Sequence, residues 1–352
     1  MPESFIHEST GARIVFGVGR VAEAPAEIAA VGARPLVISD PAFTETAEQV
    51  VAEFDGEVAG RIAEVRRHVP VESAEAARKE ARGSAADCLV CLGGGSAIGL
   101  AKAVALTERL PIVAVPTTYA GSEVTPVWGI TEAGVKITGR DPVVAPRTVV
   151  YDPELSYGMP AQLTAASGLN AVAHCVDALW APGRTPLTDS FAESGVSALK
   201  GALPAAVADG SDAEARADAL IGAWLAGTTF AVAGTSVHHR LCHALGGRFD
   251  LPHAETHAVV LPYVAALLLP AVPKAAAILA RAFAAEPSGA LRALAVELGA
   301  PTRLSELGLD LADALALADE LDPETLGSPR PLSREDLRRL LTVATEGEDG
   351  DV

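Results

Sequence analysis

Four cysteines in 352 residues, at positions 88, 91, 175 and 242, make no disulfide framework for a chain of this size. Basic residues are also in deficit. Against 45 Asp and Glu stand 27 Lys and Arg, a formal net charge of −18. That balance argues against nucleic acid and against an anionic membrane as partners, because either needs a basic surface. An anionic substrate would need a local cationic pocket. The opening Met-Pro-Glu-Ser-Phe-Ile-His-Glu has no basic n-region and no apolar h-region, and no charge-free run of about eighteen residues reads as a persuasive span. The expectation is a cytoplasmic protein with no membrane partner.

What is present belongs to a globular enzyme. Hydrophobic residues make up 49% and charged residues 20%, and a chain this long exceeds one usual core, so two domains are expected. Residues 1–155 alternate short β-rich runs with helical patterns, which predicts a parallel sheet with crossover helices. The strands are placed at 13–16, 35–39, 88–92, 112–115 and 148–151, and helices at 21–31, 42–54 and 73–82. Residues 156–352 read as helices throughout, at 163–179, 186–206, 213–233, 235–245, 256–269, 273–283, 288–298, 311–321 and 334–345, before an acidic tail from Glu346. The fold class is therefore an α/β N-terminal domain followed by an all-α C-terminal domain. Cys88 and Cys91 form C-x-x-C inside an apolar run that reads as a buried strand, whereas redox and zinc pairs usually lie on a turn or helix start.

Three strand ends carry polar or flexible residues suited to a nucleotide. Asp40, just past a strand, either accepts from a ribose diol or caps the helix that follows. Gly93-Gly94-Gly95-Ser96 leads from a strand into a helix, where glycines let a diphosphate approach the first free N–H groups; a tight structural turn is the alternative. The next glycine, Gly99, is one place late for the common dinucleotide fingerprint. After the next strand, Thr117, Thr118, Ser122 and Thr125 crowd hydroxyls that can bond a ribose or amide. The stretch from Gly134 to Asp141 reads as a hairpin edge with Lys136 and Arg140 on one side, either facing an acidic ligand or forming a solvated edge that discourages aggregation.

Residues 238–257 hold five of the eight histidines. His239 and His243 are four apart, so they share a helix face, and His253 and His257 repeat the interval after a break at Gly246-Gly247 and Pro252. Asn170 and His174 form a third pair at the same spacing. Together the three pairs predict one site. His238 lies about 100° round the helix from His239 and is read as structural.

In chain order, the Gly-Gly-Gly-Ser turn, Pro116-Thr117-Thr118 with Gly121-Ser-Glu-Val-Thr125, Ser167-Gly-Leu-Asn170-Ala-x-x-His174, His239-x-x-x-His243-x-Leu-Gly-Gly and Asp250-Leu-Pro-His253-Ala-Glu-Thr-His257 resemble the iron-containing alcohol dehydrogenase family. Within it the chain is most similar to the maleylacetate reductases, from about Phe16 to Glu346. The resemblance implies a dehydroquinate synthase-like fold, with a dinucleotide-binding domain (1–155) and a helical catalytic domain (156–352), the active site in the cleft between them, and a homodimer. It implies NADH or NADPH as cofactor, with Asp40 on the adenosine ribose, Gly94, Gly95 and Ser96 on the diphosphate, and Thr117, Thr118, Thr125 and Lys136 on the ribose and nicotinamide.

Metal-dependent relatives hold iron or zinc by an Asp and three His. The matching positions here are Asn170, His174, His239 and His253, with His243 as an additional active-site histidine. A neutral amide at 170 removes an anionic ligand, so no catalytic metal is expected. The implied reaction is NAD(P)H-dependent reduction of maleylacetate, a small dicarboxylate, to 3-oxoadipate in breakdown of aromatic compounds. His243 is the leading general acid or oxyanion donor, and His174, His239, His253 and His257 hold substrate oxygens, with pKa values raised by its carboxylates; Lys136, Arg140 and Arg240 are possible helpers. A metal-dependent alcohol or polyol dehydrogenase is the alternative within the family, and a nucleotide-sensing binding protein the alternative outside it.

Overall fold

The structure is a computed structural model that describes residues 5–9, 11–133 and 135–347. Gly134 of the expected hairpin and residues 348–352 of the expected acidic tail lie outside the described residues. The chain forms two compact units. The α/β unit takes Ser9–Met159 and also Gly210–Leu220, and the helical unit takes Pro160–Asp209, the rest of the chain from Ile221, and the described residues 5–8. The expected division after residue 155 is corrected to Met159/Pro160, with one excursion. That excursion has a physical cause in Arg216, which is fully buried and donates to Tyr119 Oη (3.0 Å) and to the carbonyls of Gly210 (2.9 Å) and Met159 (3.2 Å). A guanidinium left without those acceptors in a dry interior would destabilise the unit by several kcal/mol, roughly.

In the α/β unit the elements run β1 (Arg13–Phe16), α1 (Ala24–Ala29), β2 (Pro35–Ser39), α2 (Thr44–Ala52), β3 (Gly60–Ile62), α3 (Val71–Gly83), β4 (Cys88–Gly93), α4 (Gly95–Glu108), β5 (Ile112–Pro116), β6 (Val127–Glu132), β7 (Val135–Arg140) and β8 (Thr148–Tyr151). Six strands pair in parallel in the order β1-β8-β5-β4-β2-β3, and β6 with β7 forms a separate antiparallel hairpin. Strands β2, β4, β5 and β8 are buried on both faces, which is why they read as continuous apolar runs. Period two divides β4 between two cores: Cys88, Val90 and Leu92 enter one, and Leu89 and Cys91 the other. The C-x-x-C thiols thus point to opposite faces. Burial pushes each of them up to about 12. Strand β3 carries too little apolar sequence to be read, being three residues at an edge, and β6, whose Val127, Trp128 and Ile130 are interrupted by Gly129, was not placed from the sequence.

The helical unit contains α5 (Ala161–Ala178), α6 (Pro186–Ala208), most of α7 (Ala213–Ala233), α8 (Val237–Phe249), α9 (His253–Leu268), α10 (Pro273–Phe283), α11 (Pro287–Glu297), α12 (Leu311–Glu320) and α13 (Arg334–Glu346). Side-chain caps start several of them: Thr185 with Thr188 and Ser333 with Asp336 form capping boxes, and Asp310 caps α12. Helix α5 is buried continuously from Thr164 to Ala178 and packs on α6 and α9, while α8 packs on α9. The break between α8 and α9 is not at Gly246-Gly247, which stay helical. It falls at Asp250, left-handed at φ 53°, and at Pro252. His253–Ala271 is long and apolar enough on length and hydropathy to cross a membrane, yet 67% of that stretch is buried in the fold, as a core helix would be.

Candidate active site

In the α/β unit, the strand order puts the ends of β2, β4 and β5 side by side, with Ser39 beside Leu92 and Gly93 beside Pro116. The chain leaves β2 toward β3 on one side and returns to β4 on the other, so the gap between β2 and β4 is a topological switch point, where open α/β sheets take their ligands. Gly93 stands at φ 144°, and a Cβ there would lie 2.9 Å from that of Asp40. Gly94 is the N-cap of α4 with no side chain capping it, so the first N–H groups of a fourteen-residue helix stay available to an anion. A Cβ on Gly94 would meet Thr118 at 3.0 Å.

Asp40 realises the capping reading, its Oδ1 accepting from Ala42 N (3.1 Å), while it remains only half-buried. Thr117 is buried and Thr118 half-buried beside the turn. Thr125 is buried, and its hydroxyl donates to the Ser122 carbonyl (3.2 Å) and accepts from Lys102 Nζ (3.0 Å) and Val127 N (3.3 Å), so it organises the loop. Lys136 and Arg140 stand exposed on β7.

In the helical unit the predicted histidines come together. His174 stacks on His239 with ring centroids 5.1 Å apart and planes at 18°. His239 lies 4.6 Å from His257, His257 lies 4.5 Å from His253, and His253 stacks on His243 at 5.8 Å. Burial grades along this row: His243 is exposed, His253 half-buried, and His257, His239 and His174 buried. Asn170 is buried one turn before His174, its Oδ1 without a hydrogen-bond partner.

Two members were not foreseen. His238 is fully buried and its Nε2 lies 2.9 Å from His257 Nδ1, one nitrogen donating to the other, so it supports the cluster from behind. Asp177 is also fully buried and accepts from His239 Nδ1 (2.8 Å). The available signal was spacing, since Asp177 is three residues after His174 and seven after Asn170 on the same stripe of α5.

The protein's own surroundings oppose the expected raised pKa values at His174 and His257, and they act on His238 as well. Burial, reinforced by neighbouring imidazoles, holds His174 and His257 well below the ordinary histidine value, and His238 at about 3. A positive charge in so dry a cluster loses more hydration than the one nearby carboxylate, Asp177, returns. Asp177 goes the other way. Burial pushes it up, but the His239 hydrogen bond, the nearby imidazoles and the Ser236 N–H bring it down to about 2.

Comparison with known proteins covers nearly the whole chain. Residues 11–153 match the profile of the iron-containing alcohol dehydrogenases, and residues 164–345 that of the C-terminal part of the Fe-containing alcohol dehydrogenase family. A maleylacetate reductase of Sphingobium indicum is 45% identical over 97% of this chain and 98% of its own. The crystal structure of maleylacetate reductase from Rhizobium sp. strain MTP-10005 superposes with a TM-score of 0.94 at 44% identity, covering 98% of this chain and 99% of that one. That from Agrobacterium tumefaciens gives 0.94 at 42%, with the same coverage. On this sequence likeness, with the glycine turn and histidine cluster in their places, the chain belongs to the iron-containing alcohol dehydrogenase family.

Proposed function

We propose that this chain reduces maleylacetate to 3-oxoadipate with NADH or NADPH and without a catalytic metal, late in the breakdown of aromatic compounds. The working form in this reading is a cytoplasmic homodimer. Full-length likeness to maleylacetate reductases carries the substrate, and Asn170 carries the metal-free mechanism. The ligand set of metal relatives does not fit here. Its carboxylate position is a neutral amide, and the nearby buried carboxylate, Asp177, already accepts from four donors. Among the described residues, imidazole nitrogens approach within 4.8 Å in the triads His238/His239/His257 and His243/His253/His257, neither of which is His174/His239/His253.

The α4 N-terminus and the Gly94-Gly95-Ser96 turn are suited to a diphosphate, Asp40 to a ribose diol, and Thr117, Thr118 and Lys136 to the nicotinamide end. A bound dihydronicotinamide supplies the hydride. Addition at the alkene carbon remote from the ketone leaves charge on the ketone oxygen, and a proton at the carbon next to the ketone completes the reduction. The neutral, buried imidazoles of His174 and His257 offer N–H groups to that oxygen without a charge that burial disfavours. His243 and His253, at the accessible end, take the substrate carboxylates, and His243 is the leading proton donor.

The test follows NADH absorbance with and without maleylacetate, with zinc and iron measured on the same sample. Turnover that survives chelation, at metal contents far below one ion per chain, supports the proposal. Absence of turnover would refute it, and a stoichiometric metal required for activity would favour the alcohol or polyol dehydrogenase reading.

A further inference from the structure

Asp177 touches the histidine cluster, and the mechanism above leaves it without a task. Its contacts restrict what it can do. Oδ1 accepts from the Trp180 indole N–H (2.8 Å) and from His238 N (3.4 Å), and Oδ2 accepts from Ser236 N (2.7 Å) and from His239 Nδ1 (2.8 Å). An indole N–H and two backbone N–H groups can only donate. With both oxygens facing donors, no hydrogen can sit on the carboxylate, so the hydrogen between it and His239 belongs to Nδ1. In the neutral ring the other nitrogen, Nε2, then carries the lone pair; it is buried and has no hydrogen-bond partner among the described residues. Around it stand the rings of His174, His257 and His243, with centroids 5.1, 4.6 and 6.3 Å from that of His239.

We propose that Asp177 is a positioning residue that locks His239 in its Nδ1–H tautomer, so that His239 presents Nε2 to the cluster as a hydrogen-bond acceptor. This rests on the proposed reduction and refines it. Neutral His239 does not donate to a substrate oxygen. With no partner among the described residues, its Nε2 is open to a donor that arrives with the substrate, while the Asp177 bond fixes the ring's orientation. Substrate oxygens then meet His174, His257, His253 and His243, and the effect of Asp177 falls on turnover more than on binding.

The decisive measurement needs no substrate. In protein with ¹⁵N-labelled imidazoles, with His239 assigned by loss of its signals in His239→Gln, long-range proton–nitrogen correlation reads each nitrogen as pyrrole-like or pyridine-like. Pyrrole-like Nδ1 with pyridine-like Nε2 is expected, the minority tautomer of free histidine, and the reverse would overturn the proposal. Asp177→Asn supplies the kinetic arm, because whichever way the amide turns its NH₂ faces two donors. The expected result in folded protein is a kcat lower by about 100-fold with both KM values within about threefold. Unchanged kcat per folded site, or a loss confined to thermal stability, would reduce Asp177 to a structural group. If Asp177→Asn does not fold, the wild-type spectrum still decides. Failure of the wild type to reduce maleylacetate would remove the substrate assignment and leave the tautomer measurement standing.

Discussion

Replacing Lys102 by Met tests how the α/β unit holds the loop after β5. Lys102 sits on α4 with no exposed surface, and its ammonium donates to the carbonyls of Ser122 (2.6 Å), Thr125 (2.8 Å) and Val127 (2.8 Å) and to Thr125 Oγ1 (3.0 Å). Methionine has similar length and volume but nothing to donate, so packing is nearly conserved while three buried carbonyls lose a donor. Charge-assisted bonds stabilise by about 1.5–3 kcal/mol each, and these overlap because one ammonium has only three hydrogens. Up to three such bonds, offset in part by the burial that holds the Lys102 pKa down to about 7, make the expected destabilisation about 3–5 kcal/mol. For a unit of this size that corresponds to a fall of roughly 10 °C in Tm. Urea and thermal melts followed by circular dichroism give the stability, and NADH titration gives the functional arm, with Kd expected to rise because the loop carrying Thr117 and Thr118 loosens. A variant within about 1 kcal/mol of wild type, with unaltered NADH affinity, would refute this account of the loop.

Two further outcomes follow from the same geometry. A 2'-phosphate placed at Asp40 would meet like charge at a half-buried site, about 1–2 kcal/mol of repulsion, so kcat/KM should favour NADH over NADPH by roughly 5- to 30-fold. Asp40→Ser keeps a side chain able to cap Ala42 and should erase most of that ratio; an unchanged ratio would remove Asp40 from cofactor choice. For pH, the unfolded chain binds protons at His174, His238 and His257 near 6.5, whereas the folded chain resists until far lower, about 3 for His238. The unfolded state thus binds more protons in that window, so stability is retained above about 6.5 and lost as pH falls. Each imidazole contributes about 1.4 kcal/mol of loss one unit below its unfolded value, so the urea midpoint should drop clearly between pH 7.5 and 5.5. Asp177 adds its own loss as pH passes from 3.8 toward about 2. A flat or rising profile would mean that these imidazoles are not buried and neutral.

Much of the fold was legible because its signals are local. The apolar runs of β2, β4, β5 and β8 and the periods of α10 and α13 lie within a few residues of one another, and the histidine pairs lie one helical turn apart. Strand β3 escaped because three half-exposed residues at a sheet edge have no pattern of their own. The bond of the Thr125 hydroxyl to Lys102, twenty-three residues away, was not legible, because proximity of that kind leaves no trace in spacing.

By itself the sequence determined the buried strands and most helices of the chain, which histidines share a face, and that position 170 holds an amide. Those properties depend on side-chain period and chemical identity alone. Only the tertiary structure decided that Gly210–Leu220 joins the α/β unit through Arg216, that His238 backs His257, that Asp177 faces His239 across sixty-two positions of chain, and that three of the imidazoles are neutral. Desolvation and hydrogen-bond pairing set those outcomes, and both depend on which distant residues exclude water from a group.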